Sequence, residues 1–132
     1  MTPALILAAI LACRPAIPLP EARAYAAIVA TAHVDPILIV ALVDRETGWQ
    51  PRAWSSDGRY IGLGQIAWRF RCGRGRATVH RSTCAAERRR LLDGRYNLRA
   101  VLEIVDEWRA TCRRMTGTED GWITGYEGAR PR

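Results

Sequence analysis

The fold is decided by residues 34–48, which read VDPILIVALVDRETG. Asp35 is a favourable helix N-cap, and Pro36 suits the first helical position because its fixed φ already matches the helix. An apolar run follows, and Gly48 is a natural C-terminal stop because glycine adopts the left-handed conformation easily. The stretch therefore predicts a largely buried helix from Ile37 to Glu46, with a carboxylate in its last turn.

On either side of this helix the sequence predicts two more helices and a loop, so we expect a mainly α fold. Glu21–His33 is alanine-rich with an apolar side. Asn97 is expected to cap a second clear helix, whose apolar stripe comprises Leu98, Val101, Leu102, Val105, Trp108 and Cys112. Between them, residues 49–68 predict a structured loop with at most a short hairpin. Arg69–Arg90 is basic and is expected to be irregular.

The chain of 132 residues is long enough for one domain with one core. We expect that domain to span residues 21–129, followed by a short tail at 130–132. Residues 1–20 form an apolar N-terminal segment that is shorter than the roughly 20 residues of a membrane-spanning helix. It is interpreted either as a signal or anchor segment or as a helix packed onto the domain.

The charge of the chain is strongly positive. Its 20 basic residues outnumber 13 acidic ones, giving a net charge of +7, and all of the basic residues are arginine. Such a surface attracts polyanions of any kind, so charge alone does not separate nucleic acid from an anionic wall or membrane. No helix-turn-helix, RRM or zinc-finger pattern occurs, and we therefore do not expect a nucleic-acid partner.

The four cysteines indicate disulfides and an oxidising compartment. Of the three ways to form two bridges, we favour Cys72–Cys84 together with Cys13–Cys112. The alternative is free, buried thiols. No CxxC pair occurs, and His33 and His80 stand apart from other metal ligands, so neither a metal nor an organic cofactor is expected.

Glu46 is the candidate for acid–base chemistry. Cleaving a glycosidic bond near neutral pH requires a carboxylic acid that is still protonated, hence one with a raised pKa. Ile39, Leu42 and Val43 share the helical face of Glu46, and desolvation there disfavours the carboxylate. The negative end of the helix dipole acts in the same direction. The alternatives are a solvated helix end or an ion pair with an arginine.

Four segments together resemble the catalytic domain of soluble lytic transglycosylases and goose-type lysozymes. Residues 34–47 resemble the family's helix with its catalytic glutamate, although Thr47 stands where the family usually has serine. Residues 51–66 resemble its Pro-x-Ala-x-Ser…Gly-Leu-Met-Gln-Ile loop, with Gly64 in place of methionine. Residues 93–98 are similar to its Asp-Pro-x-x-Asn-Ile helix start. Residues 125–128 resemble its Tyr-Asn-x-Gly segment, with Glu127 in place of asparagine.

This resemblance implies a lysozyme-like fold and a peptidoglycan lytic transglycosylase that cleaves the MurNAc–GlcNAc bond to leave 1,6-anhydro ends. Glu46 would be the general acid and base. Gln65 and the backbone at Gly62 and Leu63 would hydrogen-bond the sugar N-acetyl groups, with turn capping as the alternative for Gln65. Ser55 would hold a wall of the cleft and Tyr126 would orient Glu46, with turn capping and core packing as the respective alternatives. The candidates for stacking on sugars are Trp49, Trp54, Tyr60 and Trp68, with core packing as the alternative, and one or two of them, Trp54 and Tyr60 first, are expected to line the groove.

Two other functions stay open at this point. Asp57 could serve as a second carboxylate and steer water, giving a muramidase, although an aspartate in such a turn more often bonds its own backbone. A lysozyme-like module that binds glycan without cutting it is the other. For each function the partner is a peptidoglycan glycan strand, the protein is expected to be monomeric and periplasmic or secreted, or phage-borne, and peripheral attachment to wall or membrane fits its charge.

Overall fold

The computed structural model describes residues 1–73 and 81–128, with the side chains of 73, 81–83 and 128 left out. Within these ranges the chain forms seven helices and one two-stranded sheet, which confirms a mainly α protein. The helices are α1 (Pro3–Cys13), α2 (Leu19–Val29), α3 (Pro36–Thr47), α4 (Trp68–Gly73), α5 (Arg81–Leu91), α6 (Gly94–Thr116) and α7 (Trp122–Gly128). The predicted tail at 130–132 lies outside the described residues.

Helix α3 is capped by the predicted residues, Asp35 and Gly48, and extends one residue beyond the predicted range at each end. The Asp35 carboxylate accepts a hydrogen bond from the backbone N–H of Ile37 at 2.9 Å, and Pro36 occupies the first turn. Gly48 ends the helix in the left-handed conformation, with φ of 58°. These caps satisfy backbone groups that a helix end would otherwise leave unpaired.

Helix α6 begins four residues before the predicted start. Asp93 is its N-cap, and the Asp93 side chain accepts a hydrogen bond from the backbone N–H of Tyr96. The expectation that Asn97 caps the helix is wrong. Asn97 lies within the first turns, fully buried, and its side chain bonds to other segments instead of to its own helix.

The core lies among α1, α2, α3 and α6. The N-terminal apolar segment is a helix, α1, that packs against α2 and α3 and buries Ile6 and Ile10 completely. Helix α6 contributes the fully buried Leu98, Val101 and Val105, which belong to its predicted stripe. The predicted helix Glu21–His33 corresponds to α2, which begins two residues earlier and ends four residues earlier than expected.

The loop after α3 contains the short hairpin that the sequence allowed. Strands β1 (Tyr60–Ile61) and β2 (Ile66–Ala67) are antiparallel, with Tyr60 opposite Ala67 and Ile61 opposite Ile66. Trp54 adds a single bridge to Ile61 on the other side. The hairpin therefore holds the middle of the loop in one register beside the end of α3.

The prediction that Arg69–Arg90 is irregular is wrong for the described residues, because α4 and α5 are helices. The predicted Cys72–Cys84 disulfide is confirmed and joins these two helices. Neither helix has a conspicuous apolar stripe in its sequence. They are held by this bridge and by the buried Glu87, whose carboxylate accepts hydrogen bonds from Tyr96 on α6.

The predicted Cys13–Cys112 disulfide is wrong, since both cysteines are free thiols. Arg14, which follows Cys13, donates from Nη1 to the Gly48 carbonyl at 2.9 Å, so the end of α1 lies beside the end of α3. Cys112 faces Gly121 in the segment before α7: a Cβ built on Gly121 would lie 3.5 Å from its Sγ. The two thiols, of which Cys13 is exposed and Cys112 half-buried, thus lie in different parts of the fold. Among the helices described, none is long and apolar enough to cross a membrane.

Candidate functional site

The Glu46 side chain is half-buried in the last turn of α3. Its neighbour Thr47 fixes this helix end against the loop that follows. The Thr47 hydroxyl lies 3.0 Å from the Leu63 carbonyl, to which it donates, and 3.4 Å from the Val43 carbonyl of its own helix. The hydroxyl at this position therefore joins the carboxylate-bearing helix to the loop 61–64.

The two residues that follow α3 have positive φ angles. Gly48 and Trp49 both lie in the left-handed region, with φ of 58° and 64°. A bulky residue with positive φ is strained and persists only where its surroundings hold it. Trp49 is buried and stacks on Tyr25, with ring centroids 5.9 Å apart. Its indole nitrogen has no hydrogen-bond partner among the described residues.

Asn97 clamps the returning loop to α6. Its Nδ2 donates to the Ile61 carbonyl at 2.8 Å and to the Leu91 carbonyl at 2.9 Å, while its Oδ1 accepts from the Gly64 backbone N–H at 3.0 Å. Because the side chain is fully buried, these three bonds satisfy backbone groups that water does not reach. One amide thus fixes both ends of the segment 61–64.

Gly64 stands at the closest approach of the loop to the helices. A Cβ on this residue would lie 2.1 Å from Cγ2 of Val101 and 2.7 Å from the Tyr126 hydroxyl, too close for any side chain. The Tyr126 hydroxyl donates to the Gly64 carbonyl at 2.6 Å. The absence of the methionine expected here therefore has a steric reason.

These contacts bring the four sequence segments together. Thr47 from the first segment, Asn97 from the third and Tyr126 from the fourth all bond to residues 61–64 of the second. Three distant parts of the chain thus converge on one short loop beside Glu46. Tyr126 is buried, and it is both a packed core residue and a support of this loop.

Ser55 and Asp57 form a self-contained turn. The Ser55 hydroxyl donates to Asp57 Oδ1 at 2.7 Å and accepts from the backbone N–H groups of Arg59 and Tyr60. Asp57 Oδ1 also accepts from the Arg59 backbone N–H at 3.1 Å. The bond from Ser55, and then this one, lower the pKa of the Asp57 carboxyl below its ordinary value of 3.8. The turn-capping alternative for Ser55 is thus the arrangement observed, and Asp57 bonds within its own turn.

Gln65 and Gly62 shape the end of the loop. Gln65 has a φ of 50°, and its Nε2 donates to the carbonyls of Ala53 and Gly62 at 3.3 and 3.1 Å. The backbone N–H of Gly62 donates to the Ala53 carbonyl at 2.8 Å. The Gln65 amide therefore braces the loop internally, while Leu63 is fully buried and contributes its carbonyl to Thr47.

The aromatic side chains of the loop differ in their exposure. Trp54 leaves 47% of its surface open to solvent, and Tyr60 is half-buried. Trp68 is held by a hydrogen bond from Nε1 to the Gly58 carbonyl at 2.8 Å. Of this set, Trp54 offers the largest ring surface for stacking on a bound sugar.

Glu127 carries a contact that the sequence did not predict. Its carboxylate lies 2.9 Å from Nη1 of Arg45, the residue directly before Glu46. The pair links the end of α3 to α7, although at such exposure an ion pair contributes only about 0.2–1 kcal/mol. Its importance is its position, which puts a second carboxylate and a guanidinium beside the Glu46 turn.

Two features of the site escaped sequence reasoning, namely the Asn97 clamp and the strained Trp49. Asn97 stands at the asparagine of the family's helix start, which marks it in the sequence. Its role, however, depends on backbone groups of distant residues. Nothing local in the sequence marks the strained conformation of Trp49.

Among the described residues no group of three or more histidine, cysteine, aspartate or glutamate side chains could hold a metal ion. Neither a protein-family model, nor a curated protein, nor a solved structure matches the chain.

Proposed function

We propose that this chain is a peptidoglycan lytic transglycosylase with a lysozyme-like fold and with Glu46 as its general acid and base. The observation that carries the proposal is the convergence of Thr47, Asn97 and Tyr126 on loop 61–64 beside Glu46. The four segments were singled out by their resemblance to one enzyme family. Bonds between segments so far apart in the chain are what a shared active-site scaffold requires.

The reaction uses one carboxyl group and consumes no water. Protonated Glu46 gives its proton to the glycosidic oxygen between MurNAc and GlcNAc, and the bond from that oxygen to C1 of MurNAc breaks. Glu46 is now a carboxylate and takes the proton from the C6 hydroxyl of the same MurNAc. The C6 oxygen bonds to C1 in the same step. The product carries a 1,6-anhydro ring, and Glu46 is protonated again.

The remaining site residues hold the loop and the sugar. Tyr126 acts as a positioning residue, because its hydroxyl fixes the Gly64 carbonyl. Gln65 braces the loop through Nε2, and we propose that Gln65 and the backbone at Gly62 and Leu63 hydrogen-bond the sugar N-acetyl groups. Trp54, the most exposed aromatic of the loop, is proposed to stack on a sugar ring and Tyr60 to line the same surface.

A single-carboxylate reaction is favoured over a hydrolytic one by the surroundings of Asp57. That carboxylate already accepts bonds from Ser55 and Arg59 in its own turn and has a lowered pKa. A hydrolase would need it to orient water at a set distance from Glu46. A periplasmic or secreted enzyme fits the Cys72–Cys84 disulfide, which persists in oxidising compartments.

Mass spectrometry of digested sacculi tests the reaction type. We expect anhydromuropeptides from the wild-type protein and unchanged products from Asp57→Asn. Only reducing muramic ends, lost in Asp57→Asn, would replace the proposal with a muramidase. Wild-type protein that sediments with sacculi but releases no product would replace it with a non-catalytic binding module.

A further inference from the structure

Helices α4 and α5 form a basic surface, which we call the arginine face and define by Arg69, Arg88 and Arg89. The two helices contain six arginines and one acidic residue, Glu87. Glu87 is only 7% exposed, and Tyr96 and Arg71 surround its carboxylate. The three residues of the arginine face make no ion pair with any residue in the described ranges 1–73 and 81–128. No acidic side chain in those ranges therefore neutralises their charge.

Two residues of the arginine face, Arg69 and Arg88, are restrained by the Trp68 ring. The guanidinium carbons of Arg69 and Arg88 lie 5.4 and 4.7 Å from the ring centroid of Trp68, within the range of cation–π attraction. The Trp68 ring is itself fixed by its hydrogen bond to the Gly58 carbonyl. The disulfide between Cys72 and Cys84 keeps α4 beside α5. Little side-chain freedom therefore remains to be lost when the Arg69 and Arg88 guanidinium groups bind a partner.

Helix α4 also displays a large exposed apolar ring. Phe70 follows Arg69 on α4 and is 80% exposed. An exposed benzyl group in water is unfavourable, and one that directly follows an arginine on a basic helix has the composition of an interfacial anchor, in which an apolar group enters the bilayer boundary beside cations at the headgroups. A hydrophilic polyanion would neutralise the arginines but would give the Phe70 ring no apolar environment.

We propose that the arginine face binds the surface of an anionic phospholipid bilayer, with Phe70 inserted at the boundary between headgroups and acyl chains. Arg69, Arg88 and Arg89 then contact the lipid phosphates. This interaction would hold the protein at a membrane peripherally. It does not rest on the proposed reaction, because it involves neither Glu46 nor a glycan.

Co-sedimentation with lipid vesicles and no peptidoglycan tests this binding. We expect the full chain to sediment with vesicles containing phosphatidylglycerol, to stay in solution with pure phosphatidylcholine, and to be released by salt. Phe70→Ser should weaken binding about tenfold, because the ring no longer leaves water. Arg89→Gln should weaken it about fivefold, since each arginine near an anionic surface contributes about 1 kcal/mol.

Two matched variants at the far end of α6 serve as controls. Met115 is also 80% exposed, and Arg114 is an exposed arginine beside it. They lie roughly 18 Å along the helix axis from Glu103, where Arg71 of α4 contacts α6. Met115→Ser and Arg114→Gln should bind vesicles like the wild type. The proposal would be overturned if the protein bound no vesicles or if both pairs of variants lost binding equally. Unchanged binding by Phe70→Ser would overturn it in favour of a simple polyanion site.

Discussion

Replacing Asn97 with alanine would remove three buried hydrogen bonds at once. The Ile61 and Leu91 carbonyls would lose their donor, and the Gly64 backbone N–H would lose its acceptor. A buried polar group left unpaired costs about 1–3 kcal/mol, so three would cost about 3–9 kcal/mol if all stayed dry. The space left by the side chain admits water, and we therefore expect a loss of about 3–5 kcal/mol in the free energy of unfolding.

Urea unfolding followed by circular dichroism would measure this loss. Gln50→Ala is the control, because this exposed side chain should change stability by less than about 0.5 kcal/mol. Asn97→Asp preserves the side-chain volume and the acceptor for Gly64 but removes both donors, so it should also destabilise strongly at neutral pH. A loss below about 1 kcal/mol in Asn97→Ala would refute the reasoning that this amide holds the loop to α6.

Three further perturbations have defined outcomes. Gly64→Ala should destabilise by about 1–3 kcal/mol through overlap with Val101, and Val101→Ala in the same chain should recover part of that loss in a double-mutant cycle. Gly58→Ala is its control, since only the φ of 72° opposes a side chain there; equal effects at both glycines would contradict the steric argument. Reduction of Cys72–Cys84, separated by 12 residues, should lower the unfolding free energy by about 3 kcal/mol. Thiol titration of the unreduced, unfolded protein should find two thiols. A titration that finds no thiol would show that Cys13 and Cys112 form a bridge. Asp57 has a lower pKa in the folded protein than its ordinary 3.8, so its contribution to stability is complete above that pH and is lost as the pH falls through the folded value. Asp57→Asn should therefore flatten the acid limb of a stability–pH curve, and an unchanged limb would contradict this assignment.

Features set by neighbouring residues were predictable from the sequence. Asp35 and Gly48 act on the chain within a few residues of themselves, and α3 begins and ends at them as expected. The short hairpin also follows from local composition. The Cys72–Cys84 bridge, which closes a short segment, was predictable for a similar reason.

Features that depend on distant partners were not predictable. Asn97 has the chemistry of a helix cap, but three backbone groups brought to it by the fold take all of its bonds. Helices α4 and α5 lack an apolar stripe and are secured by a disulfide and by the buried Glu87, so periodicity gave no sign of them. Cys112 lies on α6 as expected. Whether it meets Cys13, however, depends on how α1 packs against the other helices.

The site shows the same division. Glu46 and the four surrounding segments could be selected from the sequence, whereas the way they are joined could not. Turn capping was the stated alternative for Ser55 and for Gln65, and both side chains bond within the loop. Glu127 pairs with Arg45 across two helices far apart in the chain, and no local pattern marks such a pair.

The central claim is that Glu46 carries out glycan cleavage, and the most direct test is digestion of purified peptidoglycan by wild-type protein and by Glu46→Gln. Equal folding of the two proteins is verified by circular dichroism, and sedimentation with sacculi verifies that both bind. We expect 1,6-anhydromuropeptides from the wild type and none from Glu46→Gln, which should still bind. Anhydromuropeptides released by Glu46→Gln at the wild-type rate would contradict the assignment of Glu46 as the acid.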